Sequence, residues 1–233
     1  MDASVESRNP AASPDLSGLL NGRFSCRAFR REALPREQLQ RVLTLAQRTP
    51  SWCNTQPWQV AVVSGASLQT LGDELVGLAR AQTPKRPDFP FPETYLGEYR
   101  ERRKVCGVQL YQALGIGRDE RDRAQEQSLE NFRFFGAPHV LFVSTDAALG
   151  FYGGLDCGLY AMSVVLAAQA EGLGACVQAA LATYPDVIRA HVGWPDDRRV
   201  LYGIAIGMPD PDHPIHGYRT ERADLSDVVR WVD

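Results

Sequence analysis

The chain has 233 residues, of which 44% are hydrophobic and 23% charged, an ordinary globular composition. Acidic residues outnumber basic ones, 28 to 25, and the resulting net charge of -3 argues against nucleic acid or an anionic membrane surface as a partner. The five cysteines lie far apart and form no Cys-x-x-Cys pair, so neither a disulfide framework nor a cysteine zinc site is expected.

The N-terminal segment, residues 1–14, is rich in Ser, Ala and Pro and is expected to be disordered or to form an extended arm. It has neither the basic start nor the apolar run of a secretory signal. The longest apolar stretch, residues 155–170, is interrupted by Asp156 and is shorter than the ~20 residues that cross a bilayer. These features indicate a cytoplasmic protein without a membrane segment, in which residues 15–233 form one domain.

Predicted elements along the chain are amphipathic helices and short strands. Apolar residues at i, i+3, i+4 and i+7, with proline at the start, predict a helix over residues 35–46. Further helices are predicted over 68–81, 93–114, 119–134, 153–172 and 185–191, and strands over 58–63, 138–144, 177–180 and 200–206. This pattern predicts an α+β fold with helices packed around a mostly antiparallel or mixed sheet.

Two segments stand out by composition. Residues 84–92 contain four prolines, too many for a regular element, and are expected to form an ordered surface loop or, with Phe89, Phe91 and Tyr95, a substrate lid. The helix predicted over 153–172 is apolar around most of its circumference and should be buried on nearly every side. Since one subunit with a single sheet would not cover it, we expect a homodimer with this helix at the interface.

Several motif-bearing chemistries are not indicated. The sequence has no complete G-x-G-x-x-G, no G-x-S-x-G, no Walker loop and no H-E-x-x-H. Asp212, His213 and His216 could hold a metal ion, but a proline-rich loop with two exposed histidines is the simpler interpretation, and no metal is expected. Cys53 lies in a loop without a neighbouring base, which favours an exposed or structural thiol over a nucleophile.

Residues 23–29, R-F-S-C-R-A-F, place two guanidinium groups and a hydroxyl at alternate positions. In an extended backbone these side chains project from one side and can converge on a single anion. Arginine suits phosphate because its planar fork donates two parallel hydrogen bonds. Taken alone, the segment is explained more simply by arginines on a solvated surface.

Two further segments could contact a planar heterocycle. Residues 49–58, T-P-S-W-C-N-T-Q-P-W, form a polar loop whose amide side chains offer both donors and acceptors. In residues 171–180, E-G-L-G-A-C-V-Q-A-A, small side chains would let backbone amides approach a flat ring closely. The same glycines also fit a helix C-cap followed by a core strand.

The three segments in this order, with R-T-E-R at 219–222, resemble the nitroreductase family. That family usually has R-x-S-x-R-x-F, then P-S-x-x-N-x-Q-P-W about 25 residues on, a buried helix ending in G-L-G, and a basic residue near the C-terminus. The resemblance covers residues 18–232, and the joint pattern is far more specific than any one segment. Residues 131–138 and the insert before them are most similar to the nitrobenzoate-reductase branch.

The resemblance implies a nitroreductase-like fold that binds FMN. Arg23, Ser25 and Arg27 would hold the phosphate and the pyrimidine side, with backbone contacts from Phe24 and Cys26. Three or four charge-assisted contacts of ~1.5–3 kcal/mol each could hold FMN without a covalent link.

Other implied FMN ligands come from separate parts of two chains. The ligands from the other subunit would be Ser51, Trp52 and Asn54. The residues along the ring near N5 would be Gln178, Ala179 and Ala180. Arg222, or alternatively Arg219, would contact the phosphate. Arg133 would lie near N1 and O2, where a positive charge stabilises reduced flavin. Trp52 replaces a small residue common in the family and would form either an aromatic wall of the pocket or a core or interface contact.

The implied activity is an NAD(P)H-dependent reduction of nitroaromatics or quinone-like substrates by a ping-pong mechanism. No side chain is expected to be catalytic, because flavin N5 carries the chemistry. The same cradle would also suit dehalogenation, enone reduction or flavin breakdown. A degenerate site would leave a non-catalytic flavin-binding or interaction dimer.

Overall fold

The computed structural model describes residues 15–232, so the arm expected over residues 1–14 lies outside the described residues. The helices in chain order are α1 (Leu16–Gly22), α2 (Arg36–Ala46), α3 (Gly65–Arg80), α4 (Gly97–Ala113), α5 (Arg121–Leu129), α6 (Gly150–Ala170), α7 (Pro185–Val192) and α8 (Leu225–Val228). The strands are β1 (Gln59–Ser64), β2 (His139–Asp146), β3 (Gly174–Gln178) and β4 (Arg198–Gly207).

The four strands form one sheet in the order β1-β2-β4-β3, and each neighbouring pair is antiparallel. Strand β2 therefore lies in the interior of the sheet, where Val140, Leu141, Phe142 and Val143 are all fully buried. A bulge between Val143 and Ser144 shifts the register against β4. The α+β prediction with a mostly antiparallel sheet is confirmed.

Helices cover both faces of the sheet. Since successive side chains of a strand point to opposite faces, one strand contributes to a core cluster on each side. On one face, Leu141 and Val143 pack with α2 and α6 in a core cluster that includes Val42 and Val164. On the other face, Val140 and Phe142 belong to a second cluster, to which α3 contributes Leu71 and Leu75 and α7 contributes Ile188. Strand β2 is therefore buried on both faces, which accounts for its continuous run of apolar residues.

Helix α6 is only partly covered in one chain, as expected if one subunit with a single sheet does not cover it. The exposed apolar side chains along it are Phe151, Tyr152, Leu155, Leu159 and Met162. Helix α6 has 21 residues, and with the preceding 3₁₀ turn the helical stretch Ala147–Ala170 contains an 18-residue window of mean hydropathy 1.4, long and apolar enough to cross a bilayer by length and composition. Of its most apolar window, 44% is buried against the rest of the fold, which makes it a core helix with one free face.

Several predicted boundaries are wrong where glycine or left-handed residues end an element. The helix expected up to residue 172 ends at Ala170, because Gly172 takes φ +73°. The strand expected over 177–180 is β3, which starts at Gly174 and ends at Gln178, and Ala179–Ala182 form a 3₁₀ turn. Helix α5 stops at Leu129, well before the expected residue 134.

Candidate functional site

The arginine segment runs extended beside β3. Ser25 forms a parallel bridge with Ala175, and the Cys26 amide donates a hydrogen bond to the Ala175 carbonyl at 3.1 Å. Because the backbone is extended, Cys26 points inward and is fully buried, while Arg23 and Arg27 are half-buried and Ser25 is exposed. Arg23 and Ser25 line one cavity, whereas Arg27 lines another together with Arg31 and Asp210, so the single chain does not bring the two guanidinium groups to one cavity.

Gly174 allows this close approach. A Cβ at position 174 would lie 2.6 Å from the Cys26 sulfur, 2.8 Å from the Cys26 Cβ and 3.1 Å from Pro209. Any side chain larger than hydrogen would therefore push the arginine segment away from β3. Burial raises the pKa of the Cys26 thiol to about 12, so the sulfur acts as a packing atom rather than a thiolate.

A histidine fixes the arginine segment from the other side. The Arg27 amide donates to His216 Nε2 at 3.2 Å, and His216 Nδ1 lies 2.9 Å from the Asp210 carbonyl. This pairing requires the neutral imidazole ring with its proton on Nδ1. Burial lowers the pKa of His216, which also favours the neutral ring. His213 and His216 are half-buried rather than exposed, so the interpretation of both as exposed loop residues is wrong.

The C-terminal segment reaches the same place through Arg219. Its guanidinium lies 4.2 Å from the centre of the Phe24 ring, and the Tyr218 hydroxyl is 3.5 Å from Arg27 Nη1. The hydrogen bonds of the Arg222 guanidinium within residues 15–232 are to Thr220 and Glu221, its own neighbours. In a single chain, Arg219 and not Arg222 is therefore the basic residue against the arginine segment.

A cavity of about 340 Å³ opens between the arginine segment, α6 and β3. Arg23, Phe24 and Ser25 line one side of it, and Ala175 and Val177 another. The α6 side is formed by small or apolar residues, Gly158, Ala161, Met162 and Val165. The combination of a basic edge and flat apolar walls suits a planar ring that carries an anionic tail.

Gln178 is the last residue of β3, between Val177, which lines this cavity, and Ala179, which lines a larger one. Its side chain is 3% exposed, and its amide nitrogen donates to the Asn131 carbonyl at 2.9 Å. Its Oε1 is buried and has no hydrogen-bond partner among the described residues. A buried acceptor without a donor costs about 1–3 kcal/mol, so the site offers an acceptor to an N–H group of a bound molecule.

The polar loop is held by α6 and not by the arginine segment. The Trp52 amide donates to Asp156 Oδ2 at 3.1 Å, and the Trp52 ring packs edge-on against Tyr152 at 4.2 Å. Trp52 and Asn54 are exposed, and Ser51 is half-buried with its hydroxyl accepting from the Gln56 amide. The polar loop therefore presents its predicted ligands outward, beside the exposed face of α6.

The backbone of this loop is strained. Cys53, Asn54 and Gln56 have φ of 50°, 54° and 47°, in the left-handed region that favours glycine. Such conformations cost about 1–3 kcal/mol each and persist where surrounding contacts enforce them, often at ligand sites. Asp156, the residue that interrupts the apolar run of α6, supplies one of those contacts because it is 4% exposed and accepts the Trp52 amide.

Ala179 and Ala180 line a second, larger cavity of about 780 Å³. Its aromatic walls are Phe91, Tyr95, Phe132 and Tyr184. Lys85 and Arg103 also line it. The alanines predicted to lie near the reactive edge of a flavin thus border a space large enough for an aromatic substrate.

The proline-rich segment that forms part of this cavity is anchored to the fold. The Asp88 carboxylate is 2.6 Å from Arg189 Nη1 and 3.1 Å from Arg199 Nη1, and it accepts the Val200 amide at 2.8 Å. The Arg86 amide donates to the Thr183 carbonyl at 3.2 Å. These contacts favour the ordered-loop alternative over a freely moving lid, although Phe91 and Tyr95 do face the cavity.

Arg133 is already paired. Its guanidinium contacts Glu130 at 2.6 Å and Glu126 at 3.2 Å, and hydrogen bonds to these carboxylates raise its pKa. It lines cavities on the other side of α5, together with Arg31 and Gly136. The structure therefore does not bring Arg133 to Ala179 and Ala180, where a role beside the flavin ring would need it.

Comparison with known proteins gives a consistent result. The family model described as "Nitroreductase family" matches residues 20–208. The nitroreductase NfnB of Mycolicibacterium smegmatis is 42% identical over 216 residues, which cover 91% of each chain. A 4-nitrobenzoate reductase of Nocardioides sp. is 31% identical over 218 residues, 92% of this chain and 88% of the relative.

A solved structure agrees with these sequence matches. The crystal structure of the FMN-dependent nitroreductase NfnB from Mycobacterium smegmatis in complex with NADPH superimposes with a TM-score of 0.87 at 40% identity. The superposition covers 92% of this chain and 96% of that one.

Proposed function

The chain belongs to the nitroreductase family, and on that premise we propose that it is an FMN-dependent oxidoreductase that uses NAD(P)H to reduce nitroaromatic or quinone-like, electron-poor substrates. The observation that carries the proposal is the extended arginine segment, residues 23–27, which β3 holds beside a cavity with flat apolar walls. The relatives named as nitroreductase and 4-nitrobenzoate reductase support the substrate class.

The residues present fit FMN. Arg23 and Arg27 supply charge for a phosphate, and the Ser25 hydroxyl supplies a further donor or acceptor. The backbone of Phe24 shares this segment, whereas the Cys26 amide already donates to Ala175 and leaves only its carbonyl for a ligand. The buried Gln178 Oε1 has no donor among the described residues, and we assign it to the edge of the flavin ring near N5.

Redox chemistry comes from the cofactor, and the chain positions the reactants. FMN held by Arg23, Ser25 and Arg27 would supply the redox chemistry that links NAD(P)H oxidation to reduction of the nitro compound in a ping-pong cycle. Ala179 and Ala180 border the substrate cavity and leave space for a ring to stack. No side chain is assigned as a proton donor, and no metal takes part in the proposal.

We propose that the active molecule is a homodimer. The exposed apolar face of α6 lies next to the polar loop, whose Ser51, Trp52 and Asn54 point away from their own chain. A second copy packed on this face would bury apolar surface worth about 25 cal/mol per Å² and would receive the loop from its partner. Arg222 would then be free to reach the phosphate of either chain, with Arg219 as the alternative.

The proposal extends to the domain and its location. Residues 15–233 act as one FMN-binding domain, and the enzyme is a soluble cytoplasmic protein. The free face of α6 is assigned to a second copy of the chain and not to lipid.

The experiment that tests the function uses purified protein. We expect it to be yellow, with one FMN per chain, and to oxidise NADPH or NADH when 4-nitrobenzoate is added. Arg23→Ala with Arg27→Ala should remove the colour, whereas Arg30→Ala, a control at a neighbouring exposed arginine, should retain it. Protein that holds FMN but oxidises NAD(P)H only with a halophenol or an enone would contradict the substrate class, and protein that binds no flavin would contradict the whole proposal.

A further inference from the structure

The charge of the larger cavity differs from that of the whole chain. The described residues that line it include Lys85 and Arg103 but no Asp or Glu. The chain as a whole has a net charge of -3. A cavity with two cations and no carboxylate in an acidic protein favours a ligand that carries negative charge.

Lys85 is held in place by the residues on both sides of it. On one side the Thr83 carbonyl accepts from the Tyr184 hydroxyl at 3.3 Å, and on the other the Arg86 amide donates to Thr183 at 3.2 Å. Asp88 then anchors the segment to Arg189 at 2.6 Å. The backbone that carries the ammonium group is therefore fixed at the cavity, which lowers the entropy lost when an anion binds.

Arg103 is oriented by an aromatic ring. Its guanidinium carbon lies 5.1 Å from the centre of the Tyr95 ring, a cation–π contact that leaves the N–H donors at the rim available. Its neighbours on α4 are engaged differently, because Arg102 pairs with Glu98 and Lys104 pairs with Glu101. Of these three consecutive cations, Arg103 is the one that lines the cavity.

We propose that Lys85 and Arg103 determine specificity for aromatic substrates that carry an anionic group, a nitroarene carboxylate being the class that fits. The aromatic side chains Phe91, Tyr95 and Phe132 would stack on the ring, and the two cations would bind the carboxylate by charge-assisted hydrogen bonds. This inference rests on the proposed function. The phosphates of NAD(P)H share the same anionic chemistry, so the test has to separate the two sources.

The first measurement compares kcat/KM for 4-nitrobenzoate with that for 4-nitrobenzamide, a neutral molecule of nearly the same shape. We expect the ratio to fall about threefold to fivefold in Lys85→Gln or Arg103→Gln and about tenfold in the double variant, the range for solvent-exposed charges. Arg102→Gln and Lys104→Gln are matched controls, since each removes the same charge from the same helix, and their ratios should equal that of the unmodified enzyme.

The second measurement does not depend on turnover. The dissociation constants of benzoate and benzamide, measured by calorimetry on the FMN-loaded protein, should show the same loss of anion preference in the double variant. If the preference for the carboxylate over the amide stays within about twofold of the unmodified enzyme in both measurements, the proposal is overturned. This holds even if the variants alter the KM for NADPH, because the two cations would then bind the phosphates of NADPH and not the substrate. Flavin content and flavin reduction by NADH are recorded for every variant, so that failure of the proposed function is seen separately.

Discussion

Removing the Asp88 carboxylate should destabilise the protein through the proline-rich segment. In Asp88→Ala, Arg189 loses the carboxylate that is 4% exposed and keeps the Arg198 carbonyl and, as its charged partner, Asp186, which is 77% exposed. Breaking a buried ion pair costs about 3–5 kcal/mol because the remaining charge stays buried. For a chain of this size each kcal/mol lowers Tm by about 2–4 °C, so the expected decrease is about 6–20 °C.

The assay is thermal and urea unfolding followed by circular dichroism, combined with limited trypsin digestion. If the segment separates locally, cleavage after Lys85 should become faster than in the unmodified protein. Asp186→Ala is the matched control: it removes the other carboxylate from the same guanidinium, and its high exposure predicts a loss below about 1 kcal/mol. Equal losses in the two variants, with unchanged trypsin cleavage, would refute the assignment of Asp88 as the anchor.

Three further results are expected. Gly174→Ala should weaken FMN binding about tenfold or more, because its Cβ would lie 2.8 Å from the Cys26 Cβ and displace the arginine segment. Fluorescence titration of the apoprotein with FMN measures this affinity. The Gly107→Ala control, whose Cβ meets open space, should bind FMN as the unmodified protein does. Burial lowers the pKa of His139, whose Nε2 accepts the Leu34 amide at 2.9 Å. The unfolded state therefore binds more protons than the folded state below pH ~6.5, and the free energy of unfolding falls on acidification. His139→Gln should make this fall smaller, by up to about 1.4 kcal/mol per pH unit. If the difference in unfolding free energy between the two proteins stays the same from pH ~7 to ~5, the prediction is contradicted. Leu159→Glu on the free face of α6 should yield a monomer by analytical ultracentrifugation. Leu45→Glu, at a similarly exposed leucine on α2, should leave a dimer. A dimeric Leu159→Glu protein would count against this interface.

Local patterns in the sequence predicted most of the fold. The spacing of Leu39, Val42 and Ala46 predicted the buried face of α2, and the apolar run in β2 predicted a core strand. The sequence pattern wrongly extended α5 to residue 134, where Phe134 and Phe135 take φ of 57° and 55° and are incompatible with a helix. Both rings are buried in the cluster under α3, so tertiary packing decides the local conformation there.

The candidate site was predictable only where its residues are close in sequence. The alternation of Arg23, Ser25 and Arg27 is visible by eye, but the support from His216 is not, since His216 and Arg27 are 189 positions apart. Asp88 and Arg189 are likewise separated by 101 positions. Such contacts arise from the fold, and a single sequence carries no signal that identifies the partners.

The central claim is that segments from two chains form each FMN site, and mixing two defective proteins tests it most directly. One protein carries Arg23→Ala and Arg27→Ala, the other Ser51→Ala and Asn54→Ala, and each alone should bind little FMN. After joint refolding, half of the dimers are mixed and hold one intact site, so FMN binding should return to about one quarter of the unmodified level. Absence of any recovery, with mixed dimers shown to be present, would contradict the account.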